Sequence, residues 1–72
     1  MLVRAESKSR LEAAAARSKS RGFAESALTE TDDGMKAYLR HLAVSWNEIA
    51  EQHEFLAEME ARLEALNAIV AN

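Results

Sequence analysis

From residue 35 to residue 70 an apolar or semi-apolar side chain returns at every third or fourth position: Met35, Leu39, Leu42, Trp46, Ile49, His53, Leu56, Met59, Leu63, Leu66 and Val70. That spacing places all of them on one face of a continuous α-helix. Nothing after Gly34 interrupts it, since the chain contains no proline and its only other glycine is Gly22. A helix over residues 32–70 rises 1.5 Å per residue into a rod of roughly 57 Å. A stripe of that length exceeds what one thin partner helix covers, so the chain is expected to associate, with itself or with another protein.

A chain of 72 residues is at most one domain, and chains this short usually need a disulfide, a metal or a partner subunit to become stable. Cysteine is absent, which excludes the disulfide. Abundant Ala, Glu, Leu, Lys and Arg, with no window that alternates like a strand, point to an all-α protein. The first 21 residues lack the unbroken apolar core of a signal peptide, and no stretch approaches the ~20 apolar residues of a membrane span. The expectation is a soluble, cytoplasmic protein.

Helix-disfavouring and N-capping residue types cluster at Thr29, Glu30, Thr31, Asp32, Asp33 and Gly34, and they divide the chain in two. Thr31 or Asp32 can cap the second helix, and Asp32 and Asp33 suit the positive end of its dipole. A first helix over residues 2–28 carries few large apolar residues: Leu2, Val3, Leu11, Phe23 and Leu28, with alanines at 13–16, 24 and 27. It reads as a cover strip. Ser18, Ser20 and Gly22 weaken its middle, where a bend or fraying is expected.

Charge favours an antiparallel hairpin. Residues 1–28 hold six Lys/Arg against three Glu, and residues 29–72 hold three against nine Asp/Glu. Folding back brings Glu48, Glu51, Glu54, Glu58, Glu60 and Glu64 alongside Arg4, Lys8, Arg10, Arg17 and Arg21, as expected for a short connection. Such exposed pairs orient a hairpin more than they hold it. The expected architecture is therefore a two-helix antiparallel hairpin that assembles into a helical bundle, most simply a dimer of hairpins.

The stripe also changes phase. Its steps alternate between three and four except at Leu56, where two threes meet, the mark of a stammer. Two readings stay open: one broad core face, or two packing surfaces on one rod, one for the first helix and one for another subunit. His53 falls within the stripe, where a charged ring without a partner is costly. It reads either as an interface histidine or as a group whose protonation loosens the assembly.

No catalytic, cofactor or metal constellation emerges. The Glu-x-x-His motif of metal-binding bundles is missing, and His41 and His53 point about 120° apart around one helix. There is no nucleophile elbow and no phosphate loop. Trp46 is expected to fill the core, with Tyr38 and Phe55 widening the interface. The basic run Arg17, Lys19 and Arg21 offers the alternative reading, a nucleic-acid-associated regulator, against which stands the net charge of −3. A membrane-surface helix is disfavoured because the first helix lacks a bulky apolar face.

Over residues 24–56 the pattern Thr31-Asp32-Asp33, Leu39, Leu42-Ala43, Trp46, Ile49-Ala50 and Glu54 resembles a group of short helical-hairpin proteins of alphaproteobacteria. The chain departs from that group in lacking a proline after the turn aspartate and a cysteine in the first helix, and in a longer second helix. The resemblance implies a hairpin and no particular function.

Overall fold

A computed structural model describes residues 7–71. Two helices account for nearly all of them: α1, Lys8–Thr29, and α2, Asp33–Ala71, joined by residues 30–32. They pack along each other as an antiparallel hairpin, with a carbonyl near the start of α2 meeting the middle of α1 and Ser9 lying level with Glu60. The part of the expected first helix at residues 2–6, with Leu2, Val3 and Arg4, lies outside the described residues.

Both helices begin at a capping side chain. Ser7 sits in extended conformation before α1 and its hydroxyl accepts from the Arg10 amide at 3.1 Å. Asp32, rather than Thr31, caps α2: its Oδ2 accepts from the Met35 amide at 2.7 Å. Each bond satisfies an amide that the first turn of a helix leaves without an internal acceptor. Between them, Glu30 Oε1 accepts from the amides of Thr31 and Asp32, both at 3.0 Å. The turn thus supplies partners for its own backbone.

The expected bend in α1 does not occur. The helix runs unbroken through Ser18, Ser20 and Gly22, because the middle serine is used in packing: Ser20 Oγ donates to the Ala43 carbonyl of α2 at 2.7 Å. A hydroxyl engaged across the interface cannot compete for its own backbone.

The seam between the helices is made of alanine. Ala13, Ala16 and Ala27 from α1 and Ala43, Ala50 and Ala57 from α2 are the buried residues, and Ala50 is fully covered. On α1 the packed positions run Ser9, Ala13, Ala16, Ser20, Phe23 and Ala27; on α2 they run Leu39, Ala43, Trp46, Ala50, His53 and Ala57, all buried or half-buried. Alternating steps of three and four keep each row on one side of its helix. Small side chains let two backbones come close, so Van der Waals contact and backbone proximity replace the bulky core expected from the leucines.

The result is elongated. The radius of gyration is 17.4 Å and the principal extents are 60 × 21 × 11 Å, against about 11 Å for the radius of gyration of a compact domain of this length.

Candidate interaction surface

The apolar stripe read from the sequence proves to be two rows interleaved. Leu39, Trp46 and His53 turn toward α1 and belong to the alanine seam. Met35, Leu42, Ile49, Leu56, Leu63 and Val70 form a second row, each member seven residues from the next. A seven-residue row keeps one orientation along a gently supercoiled helix. This row lies roughly 75° around α2 from the centre of the seam.

Within one chain the second row is largely uncovered. Met35, Leu56, Leu63 and Val70 are exposed, Val70 to 82%, while Leu42 and Ile49, nearest the seam, are half-buried. Leu66 is exposed and Met59 half-buried on the flank away from α1. Exposed Tyr38 and Phe55 extend the same side, and Phe55 and Leu56 share a shallow groove with Glu48, Glu51 and Gln52.

The stammer at Leu56 now has a physical cause. Up to His53 the stripe alternates between the uncovered row and the side facing α1; from Met59 onward it alternates between the same row and its opposite flank. The change comes level with the described start of α1, where the Ser9 hydroxyl donates to Glu60 at 3.4 Å. Residues 61–71 are exposed throughout. Of the two surfaces expected on this rod, one is the seam against α1 and the other is left largely uncovered by the described residues.

Polar contacts line the two edges of the seam. On one edge Arg17 Nε and Nη2 donate to the two carboxylate oxygens of Glu54 at 2.9 and 2.6 Å, and Nη1 donates to Asn47 Oδ1. This bidentate pair holds the Glu54 carboxyl below its ordinary range, chiefly through the hydrogen bond from Arg17, and raises the Arg17 guanidinium in return. On the other edge Glu12 Oε2 lies 3.2 Å from His53 Nε2, and the Lys19 ammonium stands 4.4 Å from the centroid of the Trp46 ring, a cation–π contact. Trp46 is therefore half-buried at the seam's rim rather than filling a core.

These contacts change how two expectations read. A protonated His53 would face the Glu12 carboxylate instead of an apolar wall, so charge on the ring has a partner waiting. Of the basic residues expected to meet the acidic run, Arg17 does so, whereas Lys8 pairs with Glu12 of its own helix at 3.8 Å. Arg10 and Arg21 line a groove with Arg17 and Glu54 but form no ion pair among the described residues. Arg4 lies outside those residues.

Among the described residues no group of three or more His, Asp or Glu is placed to hold a metal ion, and no helix is long and apolar enough to cross a membrane. What the sequence missed was the seam itself. Its signal was present in Ala43, Ala50 and Ala57 at seven-residue spacing, and in Ala13, Ala16, Ser20, Phe23 and Ala27 opposite. Comparison with known proteins gives no match: no family model fits the chain, and no curated protein or solved structure resembles it significantly.

Proposed function

We propose that this protein is a small, non-enzymatic helical assembly module whose hairpin presents α2 for self-association. The observation that carries this reading is the uncovered row Met35, Leu42, Ile49, Leu56, Leu63 and Val70, which follows a strict heptad and continues past the end of α1. Scattered exposed leucines are ordinary on a protein surface, but an aligned row along one side of a rod is the form of a helix-packing face. Docking a second helix along the row would bury its exposed members over the length of the rod.

The surface area supports the same reading. The chain exposes 5791 Å² at a mass of 8.0 kDa, roughly 1,300 Å² more than a compact monomer of that mass. An interface of ordinary size takes about 800 Å² from each partner.

Light scattering on a sizing column at high and low concentration tests the proposal. The expected mass is two chains or more, persisting in high salt because the contact is apolar. A Leu56→Asp substitution should reduce it to one chain by placing a charge within the interface, while Ala65→Asp, off the row, should leave it unchanged. A single-chain mass for the unaltered protein at high concentration would overturn the reading. Titration with duplex and single-stranded nucleic acid at low salt is the companion measurement, since phosphate binding weakens steeply with ionic strength and bundle formation does not.

A further inference from the structure

We infer that two copies of this chain pair through α2 in antiparallel orientation, the amino-terminal half of one rod lying on the carboxy-terminal half of the other. This rests on the self-association proposed above and adds its direction. Three features of the surface lead to it.

The first is charge. Residues 33–47 of α2 carry Lys36 and Arg40 against Asp33, a net charge of +1, and residues 48–71 carry six glutamates against Arg62, a net charge of −5. Parallel docking in register would set the two −5 segments side by side along the whole of residues 48–71. Antiparallel docking about the midpoint of the apolar row lays residues 58–71, with Glu58, Glu60 and Glu64 against Arg62, on the partner's +1 segment 33–47, and only residues 48–57 of the two copies face each other. Like charges brought together along an interface select against that arrangement even where individual pairs are weak.

The second is the shape of the apolar row, whose midpoint falls between Ile49 and Leu56. Reversing one rod about that point lays Met35 on Val70, Leu42 on Leu63 and Ile49 on Leu56, so all six positions are used with nothing left over. A two-fold contact requires a surface complementary to itself; the row meets that in either direction, and the charges and the ends of the molecule choose between them.

The third is what stands at the two ends of the molecule. The segment 61–71 exposes Leu63, Leu66, Ile69 and Val70 beyond α1, and the turn end exposes Leu28, Met35 and Tyr38. Antiparallel docking places each apolar overhang over the turn end of the other hairpin. Parallel docking leaves Leu28 and Tyr38 at one end and both overhangs together at the other.

The chain has no cysteine, so one introduced thiol carries a single spin label. Ala65→Cys is suitable because Ala65 is exposed and lies off the row. In an antiparallel pair the two labels stand some 25 residues apart along the axis, about 40 Å at 1.5 Å per residue. A shift of register by one turn moves this by only about 5 Å. In a parallel pair they stand level on the outer sides of the two rods, within about 30 Å, since packed helix axes are only 8–10 Å apart and the rods are about 10–12 Å across.

Pulsed dipolar spectroscopy of the labelled protein, with its mass measured on the same sample, separates the outcomes. A two-chain mass with a distance of about 40 Å or more, the axial offset being the minimum, is the expected result. A two-chain mass with a distance within about 30 Å, the across-the-rods value, overturns the direction and leaves self-association standing. A one-chain mass overturns both.

Discussion

Arg17 shows how a single side chain decides the hairpin's pH response. Its fork on Glu54 keeps that carboxyl below its unfolded value, so the pair's contribution is fully present above the ordinary glutamate range and is lost as the pH falls through the lower folded value. The raised guanidinium acts only at extreme alkaline pH. Acid titration followed by circular dichroism should therefore show helicity falling below the glutamate range, and Arg17→Met should flatten the part of that slope due to Glu54. Gly22 gives the opposite kind of residue. A methyl group there meets nothing within 4 Å and the backbone is helical, so Gly22→Ala should stabilise the protein by about 0.5–1 kcal/mol, seen as a higher melting temperature at fixed protein concentration. Asp32→Ala removes the α2 cap and should cost about 1 kcal/mol by the same measurement.

At the scale of elements, the boundaries were legible because capping chemistry is local. Asp32 and Asp33 announce the start of α2, and the structure begins it at Asp33. The pairing face was less legible. Leucines dominate any reading of apolar periodicity, yet the helices meet on alanine, whose small area gives it little weight even though it permits the closest approach. The stripe consequently left one broad face and two separate faces both open as readings, and the phase change at Leu56 marked where the side facing α1 parts from the uncovered row. Ser20 was misread for a related reason: its weak helix propensity is a property of the isolated helix, and its bond to the Ala43 carbonyl is a property of the pair. Because Ala50 is fully covered, Ala50→Leu should overpack the seam and destabilise the hairpin by about 1–3 kcal/mol. Ala65→Leu, on the open side, should leave the thermal melt nearly unchanged.

At the scale of the whole molecule, α2 is 39 residues long and α1 is 22, and that asymmetry organises everything else. One helix is a rod with two apolar rows, and the other covers one of them over part of its length. The class of fold was readable from composition, periodicity and one turn. The proposed role was readable only as a need for cover, because an interaction face leaves its mark in apolar spacing without naming what sits on it.

The short turn at residues 30–32 also sets an order of events in time. Contacts beside it, around Ala27 and Leu39, close the smallest loops, while Ser9 and Glu60 are 51 positions apart in the chain. Loop-closure entropy rises with that separation, so the hairpin zips outward from the turn in a first-order step whose rate ignores protein concentration. Pairing of two finished hairpins is a different kind of step, because it needs an encounter between molecules. Under antiparallel pairing, refolding after dilution from denaturant should show a second phase that quickens as the protein is made more concentrated.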